Sequence, residues 1–140
     1  MTDTEAIRDV IARYNHFGDS GRFDQLLELF ADDATMTVDG TAYDDPAAIR
    51  GLFETAAGPR PEHVRHFTST HVIDVDGNTA SVRCYFQVLT SHGLDHWGRY
   101  RDSLVRSGAR WLFAHREVRV DGVTPGGWAD QRMQHRHDAP

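Results

Sequence analysis

A chain of 140 residues, 39% hydrophobic and 26% charged, has the composition of one globular domain that can bury a core without disulfides or metal staples. A formal net charge of -6 argues against a nucleic-acid partner, because neutralising phosphates takes a basic face. All 15 basic residues are arginine, which removes Schiff-base chemistry on a lysine, and the single cysteine, Cys84, excludes an internal disulfide and fits a reducing compartment.

The opening "MTDTEAIRDV" lacks the basic and apolar regions of a signal peptide, and no apolar run reaches the length of a bilayer span. The expectation is a cytoplasmic protein without membrane contact. From Thr4 to Phe17 the residues Ile7, Val10, Ile11, Tyr14 and Phe17 recur at helical spacing, so one stripe of a first helix is buried. "GDSG" (18–21) is expected to end it, which leaves Asp19 just beyond the helix on the side of Tyr14. A carboxylate on a buried side is costly unless it is paired or used.

A short helix with Phe23, Leu26, Leu27 and Phe30 follows, then a first strand led in by "ADDATMTVDG" (31–40), then a third helix in "DDPAAIRGLFETAAGP" (44–59). Pro46 suits its first turn and Gly58-Pro59 its stop. After Pro61 the period becomes strand-like up to about Val123. Asp76-Gly77 and Ser107-Gly108 are hairpin turns between four long antiparallel strands. Ala80, Val82, Cys84, Phe86 and Val88 alternate with polar neighbours, so one face of that strand is covered and the other open. Trp97, Arg99 and Arg101 share one face of the next strand; Tyr100, Asp102 and Leu104 share the other. Three helices followed by a meander make an α+β fold. The domain is expected over residues 1–123. The stretch 124–140 has turn residues and no period, and reads as a loose tail whose Trp128 could fold back over a pocket mouth.

The strings "IRDVIARYNHFGDSGRFDQLLELFADDATM", "RHFTSTHVIDVDGNTASV" and "GRYRDSLVRSGARWLFAHREVRVDG" resemble the SnoaL-like branch of the nuclear-transport-factor-2-like superfamily, over about Ala6 to Gly122. The resemblance implies a cone-shaped α+β barrel, with the N-terminal helices packed on a curved, mainly antiparallel sheet that encloses a cavity. Its members include dehydratases, isomerases, cyclases, epoxide hydrolases and proteins that only bind, so function must be argued from the site. The pattern is similar to the scytalone and bile acid dehydratases and the hexachlorocyclohexane dehydrochlorinases, which pair an aspartate after the first helix with a histidine on a cavity strand. Asp19 matches the first position, His66 the second, and Tyr14 a tyrosine that the dehydratases share. Some members add a second histidine or an arginine deeper in the cavity, and Tyr85, Gln87, His96 and Arg116 are the candidates for such further positions here. Where the ketosteroid isomerases carry their base, this chain has Val38, and alternation would turn Asp39 to the opposite face.

Beside a carboxylate an imidazole keeps one tautomer and can take a proton next to a carbonyl or leaving group, then return it. Tyr14 could donate a hydrogen bond to the substrate oxygen. The expected activity is a lyase, isomerase or cyclase without a cofactor, acting by Asp19, His66 and Tyr14 on an apolar, oxygenated ring compound. Phe53, Trp97, Tyr85, Gln87 and Arg116 are the candidate substrate-binding residues, with Trp97 as an aromatic wall at the cavity mouth. The bland readings stay open beside this one: Tyr14 as an ordinary core tyrosine, Asp19 as a turn residue and His66 as a structural histidine. A non-catalytic binding or assembly module is the alternative function. An epoxide hydrolase is the third, and would need a second carboxylate beside Asp19.

No metal is expected. His63 and His71 are an odd number of residues from His66 and fall on the other strand face unless a bulge intervenes. His92 and His96 flank a turn, and His135 and His137 lie in the tail. Cys84 reads as a small buried hydrophobe. A homodimer through the open sheet face is expected, since members of the superfamily commonly pair that way.

Overall fold

The computed structural model describes residues 1–138, with side chains described through Gln134. The element order is α1 (Asp3–Ser20), α2 (Phe23–Leu27), β1 (Phe30–Val38), β2 (Thr41–Tyr43), α3 (Pro46–Ala56), β3 (Arg65–Asp76), β4 (Thr79–Thr90), β5 (Gly93–Ser107), β6 (Arg110–Val123) and α4 (Trp128–Asp138). The α+β class holds. The strands form one six-stranded sheet in the order β2-β1-β6-β5-β4-β3. All its neighbours are antiparallel except β1 and β6, which run parallel. No pairing joins β2 to β3 among the described residues, so the sheet under the helices is an open layer and not a closed barrel.

Helix α1 begins with a capping box, in which the Thr2 side chain accepts from the Glu5 N–H and the Glu5 carboxylate accepts from the Thr2 N–H, satisfying two otherwise orphaned donors. It does not stop at Gly18. The helix continues through Asp19 to Ser20 and ends at Gly21, whose φ of 72 is the left-handed cap that glycine adopts without strain. In α3, the Asp45 carboxylate accepts from the Ala48 N–H and Pro46 opens the first turn.

The alternation in β4 is complete: Ala80, Val82, Cys84, Phe86 and Val88 are all buried and their neighbours face out. Two apolar clusters result. The larger joins Ile7, Ile11 and Tyr14 of α1, Ile49 of α3, Phe30 and Met36 of β1 and Trp111 and Phe113 of β6. The smaller joins Val64, Cys84, Phe86, Val88 and Tyr100, with Trp128 packed against it. Each fully buried large aliphatic or aromatic side chain of this kind contributes about 1.5–3 kcal/mol of transfer free energy.

The stretch read as a loose tail carries α4. Its helical period is invisible in the sequence because only Trp128 and Met133 are large and apolar, and its anchor lies on a distant strand.

Candidate functional site

A cavity of about 190 Å³ opens between the two clusters, walled by α1, α3, the end of β1, the inner face of the sheet and α4. Because Asp19 lies inside the last turn of α1, the helix itself aims it. Its Oδ1 lies 2.6 Å from Nδ1 of His66 and its Oδ2 accepts the His66 backbone N–H at 2.9 Å. Strand β3 is a sheet edge and leaves backbone donors without a strand partner; the carboxylate takes one of them. The Asp19 side chain is only 10% exposed and that of His66 27%. Arg60, which also lines the cavity, donates to the backbone oxygen of Asp19. With Nδ1–H given to the carboxylate, neutral His66 keeps its lone pair on Nε2.

A second imidazole faces the first. His96 lines the same cavity, its ring centroid 6.4 Å from that of His66, and its Nδ1 lies 2.7 Å from Oδ2 of Asp95. Asp95 is 4% exposed and also accepts the N–H groups of Trp128 and Ala129, so one carboxylate orients a histidine and caps α4. Burial pushes the His96 pKa down, against the opposing effect of its hydrogen bond to the Asp95 carboxylate. Sequence reasoning kept His96 only as one candidate for a second position and missed Asp95. Strict alternation cannot bury two successive residues, but Val88 pairs with His96 and Leu89 with Leu94, leaving Asp95 as the extra residue of a bulge.

Tyr14 lines the cavity and is 6% exposed. Its ring meets Phe30, Phe53, Tyr100 and Phe113 at centroid distances of 5.7 to 6.2 Å. Burial, countered in part by Arg116, raises its pKa. Phe53 is also a wall of the cavity.

The other proposed substrate contacts are corrected. Tyr85 and Gln87 stand on the outer face of β4, exposed, because they alternate with the buried Cys84, Phe86 and Val88. Trp97 is likewise 37% exposed on the outer face, with its ring over Gly122. Arg116 is fully buried behind the cavity wall. Its Nε and Nη2 donate to both oxygens of Asp102 at 2.8 and 2.9 Å, and its guanidinium lies 4.2 Å from the Tyr14 ring centroid and 3.8 Å from that of Tyr100. Burial works against its charge, and the Asp102 carboxylate more than offsets this, so its pKa is raised.

Asp39 also departs from expectation. Its φ of 47 breaks the alternation of β1, and it lines the cavity while its Oδ1 accepts the Val120 N–H. A bulge at Thr70, with φ of 57, turns His71 to the inner face that His66 shares. No cluster of three metal-ligating side chains forms among the described residues, and the side chains of His135 and His137 lie outside them. Cys84 is buried and its thiol is pushed up to about 11, chiefly by that burial.

An open mixed sheet with helices over one face, enclosing an apolar cavity with two carboxylate-bound imidazoles, defines the class. The family described as SnoaL-like domain matches residues 1–117, and the chain belongs to it. Among solved structures, a cystatin-fold protein of unknown function from Nostoc punctiforme superposes with a TM-score of 0.81 at 19% identity, covering 88% of this chain and 94% of the other. An NTF2-like protein with a cystatin-like fold from Novosphingobium aromaticivorans is 29% identical, with a TM-score of 0.72 over 94% and 88% of the two chains. A candidate scytalone dehydratase from the same organism gives a TM-score of 0.77 at 22% identity, over 87% and 86%. Among curated proteins, none matches the chain.

Proposed function

We propose that this protein is a cofactor-independent lyase, isomerase or cyclase in which His66, held by Asp19, moves a proton on an apolar, oxygenated ring compound. One observation carries the reading: the 2.6 Å contact of Asp19 Oδ1 with His66 Nδ1 at the wall of a largely apolar cavity. Neutral His66 takes a proton from the carbon next to a carbonyl or leaving group through Nε2, and the imidazolium stays paired with Asp19. Tyr14 stabilises the oxygen on which charge develops. His96, kept neutral by its burial, is a hydrogen-bond acceptor for the ligand rather than a proton donor. The likeness to a candidate scytalone dehydratase agrees with this class of chemistry.

The test is proton exchange. In deuterated water the wild-type protein is expected to exchange the protons flanking the carbonyl of beta-tetralone, followed by NMR. Asp19→Asn and His66→Gln are each expected to slow that exchange roughly 100- to 10,000-fold, the range of a general base. Exchange in the wild type no faster than in His66→Gln would overturn the proposal and leave a binding module.

A homodimer is proposed as well, through the outer face of β3, β4 and β5, where Phe67, Tyr85, Leu94 and Trp97 are exposed.

A further inference from the structure

Among the described residues, four buried side-chain atoms have no hydrogen-bond partner: Asn15 Oδ1, Thr37 Oγ1, Arg116 Nη1 and Trp128 Nε1. Asn15 and Trp128 are the two of these residues that line the cavity. Asn15 is 8% exposed and precedes Asp19 by four residues on α1, so it sits one turn below the carboxylate on the same helix face. Trp128 opens α4, where Asp95 fixes its backbone, and Arg132 lies 5.0 Å from its ring. A buried polar atom without a partner has lost its hydrogen bonds to water without replacement, so native folds rarely keep one that nothing uses.

The two atoms have opposite polarity. An amide oxygen only accepts, and an indole N–H only donates. Much of the remaining wall is apolar, with Phe53, Phe86, Val118 and Val120 among the lining residues. We infer that the ligand is a small hydroxylated ring carbonyl compound whose hydroxyl donates to Asn15 Oδ1 and whose carbonyl accepts from Trp128 Nε1. An apolar cavity of about 150 Å³ takes up benzene, so the space of about 190 Å³ here suits one or two rings. This inference rests on the proposed function, and it narrows the substrate class from oxygenated rings to rings that carry both a hydroxyl donor and a carbonyl acceptor.

Titration calorimetry with three probes tests it: para-hydroxyacetophenone, acetophenone, which lacks the hydroxyl, and para-ethylphenol, which lacks the carbonyl. The wild type is expected to bind the first about fivefold to tenfold more tightly than either of the others, the worth of one well-made hydrogen bond. Asn15→Leu is expected to erase the advantage over acetophenone and keep that over para-ethylphenol, and Trp128→Phe to do the reverse. Should Asn15→Leu fail to fold, the wild-type series still decides, together with NMR of the Trp128 indole N–H. Its exchange with solvent is expected to slow under the two ketones and not under para-ethylphenol. Equal binding of all three probes, or a hydroxyl preference that survives Asn15→Leu, overturns this inference and leaves the acid/base proposal standing. Failure of every probe to bind, with proton exchange on beta-tetralone intact, also overturns the inference alone; failure of both overturns the two together.

Discussion

Arg116 is the residue most dependent on a single partner. Its side chain and that of Asp102 are both at 0% exposure, and the bidentate geometry is what makes so deep a pair tolerable, since the Coulomb gain must offset the loss of water around two ions. Removing one partner strands the other. Asp102→Asn is expected to lower the unfolding free energy by about 3–5 kcal/mol, read from urea denaturation with an unchanged slope. A double variant, Asp102→Leu with Arg116→Met, is expected to recover most of that loss, because it leaves no buried charge. The consequence reaches the cavity, since Arg116 stacks on Tyr14 and Tyr100 and so holds the Tyr14 ring in place. At this scale the contact of Asp19 with His66 and the place of Tyr14 on the cavity wall were legible from the family pattern, while their chemistry is what the exchange experiment tests. The sequence was silent where a contact depends on tertiary packing. Asp102 and Arg116 fall on facing positions of β5 and β6, and nothing in either strand alone distinguishes an inward ion pair from a solvated one.

The element with the most consequence for the cavity is α4, and a single carboxylate ties it to the sheet. Asp95 accepts the first two N–H groups of the helix and also binds His96. Loss of a side-chain cap costs about 0.5–2 kcal/mol. Beyond that cap, the apolar hold on α4 among the described residues is Trp128 packed against the smaller cluster, since most of the helix sequence is polar. Asp95→Ala is expected to detach α4 while the remaining sheet and helices stay folded. The measurements are a red shift of Trp128 emission, against a background variant lacking Trp97, and faster tryptic cleavage at Arg132. An unaltered cleavage rate would mean that the apolar contacts of Trp128 suffice to hold the helix. The same element marks the limit of periodicity as a signal. The long strands and α1 were readable because their burial repeats at a fixed spacing. The bulges at Asp95 and Thr70 break that spacing locally, and each moves a titratable residue to the inner face. Helix α1 shows the converse: glycine and serine at 18–21 read as a stop, yet the helix keeps Gly18 and Asp19 and uses only Gly21 as its cap. A glycine inside a helix costs at most about 1 kcal/mol, which the pairing of Asp19 with His66 can offset.

For the whole molecule, the sheet has two unequal faces. The inner one is covered by helices and holds the cavity. On the outer one, Phe67, Gln87 and Trp97 stand in one row across β3, β4 and β5, and Tyr85 and Arg99 are neighbours in the next. Phe67 is 49% exposed, Tyr85 56%, Leu94 46% and Trp97 37%. Exposed single apolar residues are ordinary, but a contiguous aromatic patch bordered by charge is the composition of an interface. Arg65, Arg83, Arg99 and Arg101 border this patch on the same face. A second copy is the proposed occupant, since a twofold contact brings the same aromatic centre and polar rim to both sides. Sedimentation velocity at moderate salt is expected to give a dimer for the wild type. Tyr85→Glu and Trp97→Glu, which put a carboxylate into the apolar centre of the contact, are expected to give a monomer. Because dimerisation stabilises the folded state by mass action, the melting temperature of the wild type should rise with protein concentration and that of the two variants should not. A wild type that sediments as a monomer at every concentration tested would reject the interface. The inner site would be untouched by that result, because the cavity lies on the helix-covered face of the sheet and the proposed contact on the opposite one.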